Sequence, residues 1–406
     1  MDYITVKEAA QKWGVSTRRV QILCAQNRVK GAYRFGRSWM IPQKAVLPNA
    51  YRTEEEKMPM PRRSPFLDMT NLYNKAGGAE ECAEMLINRP EAHALFEAQL
   101  AYRRGEIDKV YDRARYFLST HSGFYAILGG GMLLALCAIW RGDTALWHEA
   151  KKHICEAPCQ TKEEREIISL SLAIINSSIY YDNKDYPEWF KIGNFEALPA
   201  DSHPAAKVFY VKYLYMAAYA IASGQSSFEG VQGLALMKLI PNTIEPLISQ
   251  AVVDGTVIPE IYLRMSCAVA YHNSGEREKA IRHIDKAIAL ALPDRLYGIL
   301  AEYIRHFNGL LEERILLTDE SAMAQINMLY EKYRHGWAKL SGQVRNKQIA
   351  TNLTPREHEV AKLKTFGFKP KQIGDMLYLS ESMVRYLITQ IANKAGCSED
   401  DFSEII

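Results

Sequence analysis

The sequence contains no CxxC pair. Its seven cysteines, at 24, 82, 137, 155, 159, 267 and 397, are odd in number and scattered. That pattern builds neither a disulfide framework nor a four-cysteine zinc site. His153, Cys155 and Cys159 offer metal-ligand types but lack the fourth ligand of the usual zinc set. A Gly-xxxx-Gly-Lys-Ser/Thr loop is also missing, and with it the phosphate cradle of ATP-driven switches. No Ser/His/Asp or Cys/His spacing stands out, and acids such as Glu54–Glu56 and Glu80-Glu81 fall on linker or solvated stretches. The expectation is therefore a protein that is not an enzyme, with no cofactor and no bound metal. The opening residues, MDYITVKEAAQKW, carry charge where a signal peptide needs an apolar core. Long apolar runs are scarce, with one exception. From Tyr116 to Trp140 there is no Asp, Glu, Lys or Arg. Gly129–Gly131 interrupt that stretch, and its apolar part falls short of the roughly 20 residues of a membrane span. It reads as two antiparallel helices broken near His121–Gly123 or at the triple glycine. A reducing, cytoplasmic setting follows from these absences taken together.

What is present is a globular composition, 48% hydrophobic and 24% charged over 406 residues, enough for two to four domains. The net charge of +3 is unevenly spread. Lys and Arg number 13 against 5 acidic residues in 1–65, 28 against 34 in 66–344, and 9 against 8 in 345–406. A basic head on an acidic body is the pattern of a chain whose N-terminus meets a polyanion.

In the head, Val6, Ala9, Ala10 and Trp13 keep helical spacing until Gly14, and Ser16 is placed to cap a second helix over 17–26. Val20, Leu23 and Cys24 mark the inward stripe of that helix, which turns Thr17, Arg18, Gln21 and Ile22 outward. Val29–Phe35 and Ser38–Ile41 then form a hairpin around Gly36, bounded by Pro42, with Arg34 and Arg37 at its tip. The motifs Thr-Val-Lys-Glu-Ala-Ala, Gly-Val-Ser and Gly-Arg-Ser-Trp-Met-Ile-Pro resemble, in order and spacing, the winged helix-turn-helix of the excisionase and MerR-like class. The resemblance covers residues 3–47 of a domain bounded at 1–47. It implies DNA binding, with Ser16, Thr17, Arg18, Arg19 and Gln21 at the major groove and Arg34 and Arg37 on phosphates or a minor groove.

Residues 48–65 hold four prolines and the Glu54–Glu56 run, and read as a linker. From 66 to 344 the pattern is helical, with turns near 105, 142, 183, 224 and 275. EAQLAYRRGEIDKVYDRA (97–114), LALCAIWRGDTALWHEA (134–150) and CAVAYHNSGEREKAIRHI (267–284) are copies of one helix-turn-helix unit. These units resemble tetratricopeptide repeats, and 261–314 resembles the last repeats of the maltose-activator type of LuxR-family regulators. Stacked helix pairs expose a concave surface suited to a peptide, a partner protein or a small-molecule effector. The cluster Tyr180, Tyr181, Trp189, Tyr210, Tyr213, Tyr215 and Tyr219 reads either as an effector pocket or as ordinary packing between repeats.

In 345–406, Thr354 and Glu357 form a capping box with Pro355 at the first helical position. A short helix at about 371–377 leads to Ser380, which caps a third helix with Val384, Leu387 and Ile391 inward. A last helix follows Ser398. Leu353-Thr354-Pro355-Arg356-Glu357, Ile373, Leu379-Ser380-Glu381, Val384 and Lys394-Ala395-Gly396 resemble the framework of the four-helix LuxR-type DNA-binding domain. The resemblance implies DNA contacts at Lys371, Ser382, Arg385, Tyr386 and Lys394. Met383 and Tyr386 replace polar residues usual in that family. Both DNA binding and a dimerisation or regulatory role stay open for this module. The whole reads as an all-α protein: an antiparallel helix-pair body between two DNA-binding modules, a transcription regulator acting as a homodimer on double-stranded DNA, without a membrane. The alternative is a repeat adaptor for partner proteins whose terminal modules no longer read DNA.

Overall fold

The computed structural model describes residues 3–13, 15–25, 29–36, 38–45, 63–120, 123–180, 185–222, 233–345 and 353–405. Two units result, Met1–Pro59 and Met60–Ile406. The chain is mostly helical. Among the described residues, strands occur only in the first unit.

That unit opens with β1 (Tyr3–Thr5), followed by α1 (Val6–Trp13), α2 (Thr17–Ala25), β2 (Tyr33–Phe35) and β3 (Ser38–Pro42). Thr5 and Glu8 start α1 by a reciprocal cap: the Thr5 amide donates to Glu8 Oε2 (2.8 Å) and the Glu8 amide to Thr5 Oγ1 (3.3 Å). The sheet has the order β1-β3-β2, antiparallel, with Ile4 opposite Ile41 and Tyr33 opposite Met40. Hairpin periodicity alone foretells β2 and β3. β1 is too short to show an alternation of its own, and pairing with β3 is what makes it a strand. Ala9, Ala10, Val20, Leu23, Cys24, Val29 and Ile41 form the core, which includes the inward stripe expected for α2.

The second unit begins with a buried run rather than a free connection. Ser64 is fully buried, Gln99 Nε2 donates to the Pro65 carbonyl (2.6 Å), and Arg103 Nε donates to Asp68 (2.6 Å). The last residues of the proline-rich stretch are thus part of the body. After α3 (Ala79–Met85) come α4 (Pro90–Arg104) and α5 (Ile107–Thr120), then α6 (Phe124–Arg141) and α7 (Thr144–Cys155), packed as neighbours. Gly105 and Gly142 end α4 and α6 in the left-handed region, where a side chain would be strained, and the chain reverses within two residues. Asp143 then caps α7 by accepting from the Leu146 amide (2.9 Å). α8 (Lys162–Tyr180), α9 (Glu188–Lys191), α10 (His203–Ala222) and α11 (Gly233–Asp254) lead to α12 (Val257–Asn273) and α13 (Arg277–Ala291), reversed at Gly275. The turns expected near 183 and 224 lie outside the described residues.

The apolar stretch divides between Thr120 and Phe124, and α6 runs unbroken through Gly129–Gly131. A Cβ on Gly129 would lie 2.7 Å from the Pro65 carbonyl oxygen, and one on Gly130 2.8 Å from Leu118. The glycines serve close approach, not a break. Among the described residues α6 alone is long and apolar enough to cross a membrane, and 78% of it is buried by neighbouring helices.

The body closes on itself. α14 (Tyr297–Tyr303) packs against α4, so near that a Cβ on Gly298 would stand 2.7 Å from the Tyr102 carbonyl oxygen. Buried Asp294 accepts from the Tyr73 hydroxyl and from the amides of Gly77 (2.6 Å) and Ala79 (3.2 Å), joining the two ends of the helical stack. After α15 (Leu310–Leu316), α16 (Glu320–Arg345) runs back across α6, where Gly336 leaves no room for a Cβ beside the Trp140 carbonyl.

The C-terminal helices are α17 (Pro355–Thr365), α18 (Pro370–Leu377), α19 (Glu381–Ala395) and α20 (Phe402–Ile405), around a core of their own that includes Val360, Phe368, Ile373 and Phe402. The capping box at Thr354 and Glu357 is formed. Ile388, rather than Leu387, joins Val384 and Ile391 in the buried stripe of α19, and Leu387 is half-buried at its edge. Helix rotation is settled by which residue meets Phe402 and its neighbours, a choice the sequence spacing leaves within one position.

Candidate functional site

On α2, the Ser16 carbonyl accepts from the Val20 amide (3.2 Å), so Ser16 stands at the helix start. Thr17, Arg18 and Gln21 are exposed, whereas Val20, Leu23 and Cys24 are buried. Arg34 is exposed on β2. Among the described residues, no carboxylate lies within ion-pair distance of Arg18 or Arg34. Arg19 belongs to α2 but its side chain lies outside the description, as does Arg37 altogether. The hairpin is tied to α1 by Lys12, which donates to the carbonyls of Gln43 and Ala45, and by Trp13 Nε1, which donates to Ala45 O (3.3 Å).

The C-terminal residues behave differently. Ser382, Arg385 and Tyr386 are exposed on α19, and Lys371 is exposed on α18. Arg385 Nη2 donates to Glu381 at 2.6 Å, one helical turn back. Lys394 Nζ donates to both oxygens of Glu357, each at 2.8 Å. Glu357 is 5% exposed and lies below the usual carboxylate range: the ammonium and the Thr354 amide and hydroxyl outweigh the effect of its burial. Lys394, expected at a phosphate, fastens the end of α19 to the start of α17. Met383 and Tyr386 place apolar surface on the outward face, 45% and 58% exposed.

This module is docked on the body. Tyr378, in the left-handed region at φ 53, lays its ring over Gly275, where a Cβ would stand 2.8 Å from the ring. The Trp337 and His358 rings lie 6.0 Å apart, and His306 Nδ1 is 3.9 Å from Glu359 Oε1. Arg356 Nη1 lies 3.3 Å from Glu359 Oε2. Burial and the nearby Arg305 and Lys362 hold His306 well below its ordinary value and bring His358 down to about 3, so both rings are neutral. Burial pushes Glu359 up to about 7 against the pull of Arg356, Arg305 and Lys362.

Between body and module lies a cavity of about 330 Å³, lined by α4, α6, α10, α12, the segment 302–306 and α17. Its polar floor is a network. Tyr102 and Tyr262 donate to Glu302 (2.6 and 3.0 Å), and Arg103 donates to the Tyr262 hydroxyl (2.9 Å) while bound to Asp68. Burial raises Glu302 above the usual carboxylate range. Lys212 donates to Ser178 (2.9 Å) and Tyr215 to the Ser266 carbonyl (2.9 Å) at the wall. Sequence reasoning missed this site, because its lining is gathered from segments as far apart as Pro65 and Leu377. Among the described residues of the singled-out cluster, Tyr215 is the one that lines it. Tyr210 and Tyr213 pack with Tyr186, Phe190 and Phe195, and Trp189 donates to Glu166 (2.6 Å). Tyr181 and the side chains of Tyr180 and Tyr219 lie outside the described residues.

All seven cysteines are unpaired. Among the described residues, three metal-ligating side chains converge at Glu245, Cys267 and His283, and not at His153, Cys155 and Cys159. There Glu245 Oε1 already accepts from Tyr271 (3.0 Å) and meets His283 Nε2 (3.1 Å). Compared with known proteins, the chain matches no family model and no curated protein.

Proposed function

We propose that the chain is a sequence-specific DNA-binding transcriptional regulator: an N-terminal winged helix-turn-helix, a tetratricopeptide-like body that takes a small-molecule or peptide effector, and a C-terminal LuxR-type helix-turn-helix. The observation that carries this reading is the outward face of α2. Thr17, Arg18 and Gln21 stand exposed there, with Arg34 exposed on the following hairpin, in a segment that holds 13 basic against 5 acidic residues. A helix of that kind fits a major groove, and a basic hairpin suits the phosphates beside it. One small module offers less contact area than a specific site demands, which favours a homodimer on paired half-sites.

Fluorescence anisotropy with a fragment of the chain's own promoter, titrated with salt, tests it. Binding at low salt that falls steeply as salt rises supports the reading. No binding at low salt overturns it. The adaptor reading draws on one observation, the exposed Met383 and Tyr386 on α19, which suit protein contact better than phosphate contact. It predicts that neither terminal module binds the promoter fragment, so that no anisotropy change is seen at low salt.

A further inference from the structure

Three kinds of transition-metal ligand meet where α11, α12 and α13 pack against one another. Glu245 on α11, Cys267 on α12 and His283 on α13 each bring one ligand atom, and these atoms lie within 4.8 Å of one another. Their separation along the chain matches none of the short spacings read as zinc sites, so helix packing alone assembles the set. Cys267 is fully buried, the His283 side chain is 11% exposed, and that of Glu245 is 44% exposed. The cluster thus has a thiol at its floor and a carboxylate on the side that meets solvent.

Hydrogen bonding leaves this cluster incomplete. Glu245 Oε1 is served twice, by the Tyr271 hydroxyl (3.0 Å) and by His283 Nε2 (3.1 Å). The other ring nitrogen of His283, Nδ1, is buried with no hydrogen-bond partner. A buried nitrogen in that condition costs stability and calls for an explanation, and an ion held by the groups around it supplies one. Thiolate, imidazole and carboxylate together suit zinc and its neighbours in the first transition row, whereas magnesium and calcium favour oxygen ligands. Three protein ligands leave the fourth tetrahedral position to water, as in an open site rather than a closed structural one. At zinc bond lengths the ligand atoms of a tetrahedron stand roughly 3.5 Å apart. Glu245, the most exposed of the three, is the side chain with room to draw in from the wider spacing.

We propose that Glu245, Cys267 and His283 form a site for a divalent transition metal of the zinc class, open on the Glu245 side. The cysteine binds as thiolate, so its proton passes to solvent. His283 ligates through one ring nitrogen while the other keeps the proton of the neutral ring. The bound ion ties three helices together, and two of them, α12 and α13, reverse at Gly275, where Tyr378 of the C-terminal module is seated. The proposal goes beyond the DNA-binding reading and is tested without DNA, so either can fail while the other stands.

Co²⁺ is the probe, titrated into the full chain after chelator treatment and under reducing conditions, with Mg²⁺ as the control. One equivalent of Co²⁺ is expected to give a thiolate-to-cobalt band in the near ultraviolet and the visible absorption of tetrahedral cobalt. Zn²⁺ should displace both, and Mg²⁺ neither. Cys267→Ser should abolish the thiolate band. Glu245→Gln and His283→Gln should each weaken Co²⁺ by more than about tenfold. Cys155→Ser combined with Cys159→Ser should leave the band as it is. Circular dichroism follows the fold of every variant, and Glu245→Gln, at a half-exposed position, decides the matter if Cys267→Ser misfolds. Absence of a saturable thiolate band, a band that survives in folded Cys267→Ser, a band lost in the Cys155 and Cys159 double variant, or an affinity unmoved by Glu245→Gln overturns the proposal.

Discussion

The two terminal modules use their basic residues in opposite ways. At the N-terminus, Arg18 and Arg34 project from α2 and its hairpin with no carboxylate among the described residues to hold them. At the C-terminus, Arg385 is bound to Glu381 and Lys394 to Glu357. An arginine with a carboxylate already beside it must exchange that partner for a phosphate, and the gain is smaller by the strength of the pair lost. Similar counts of basic side chains therefore do not mean similar affinity for a polyanion. The difference also separates roles, since Lys394 ties α19 to α17, whereas Arg18 has no carboxylate beside it among the described residues.

The sharpest way to break this comparison is at Glu357. Glu357→Ala removes the capping box and strands Lys394, and we expect about 2–3 kcal/mol of lost stability in the C-terminal module. Urea unfolding followed by exchange of the α17 and α19 amides measures it. If the module is unchanged, Lys394 is not structural and becomes a candidate for phosphate after all. Acid provides a parallel test of the same pair. Because the folded pKa of Glu357 is depressed, its contribution is fully present above the unfolded value and is lost as pH falls through the folded one, below the usual carboxylate range. Glu357→Gln should flatten that acid loss.

Next in size is Arg18→Ala, expected to weaken operator binding by about 1–3 kcal/mol and to relax preference at one base pair if the guanidinium meets a guanine edge. Arg34→Ala should weaken all sequences alike and lower the log–log salt slope by roughly 0.9. Arg385→Ala should do less than either. A salt titration of operator binding for the three variants beside the parent chain ranks them, and an Arg385→Ala that proves most damaging would invert the comparison.

The smallest effect concerns docking. His306 and His358 are neutral in the docked state, with His358 at about 3, so the two rings stabilise docking above their ordinary value and lose that contribution as pH falls below it. Glu359, raised to about 7, acts the other way: it favours docking below the ordinary carboxylate value and loses that as pH rises through about 7. Two rings against one carboxyl leave a net loosening on acidification from about pH 6.5 toward 5. The part of the fluorescence removed by Trp337→Phe, whose ring lies 6.0 Å from His358, should report it. A flat signal over that interval would mean that the interface does not titrate.

Much of the architecture was legible because it is local. Glycines at 105, 142 and 275 punctuate helical periodicity and do end helices in the left-handed region. Thr354 with Glu357 is a capping signal readable from two residues, and it is formed. The inward stripe of α2 was correct for the same reason. The rotation of α19 was less secure, since neighbouring apolar residues compete for one core. Spacing brings Tyr210 and Tyr213 together with other aromatics but does not specify what those rings enclose, and in the fold they pack against Tyr186, Phe190 and Phe195.

What the sequence by itself determined is therefore the mostly helical character of the body, its turns at Gly105, Gly142 and Gly275, the stripe of α2, the cap at Thr354, and the uneven charge along the chain. All of these follow from interactions within a few residues or from counting. Closure of the body, with Asp294 joined to Tyr73 and Gly298 against α4, was decided only in three dimensions. So were the seating of Tyr378 on Gly275, the pairing of Lys394 with Glu357, and the cavity between body and module. Each depends on surfaces that meet across more than 30 positions of chain, where the period of a helix fixes which face is apolar but not which other face it will find.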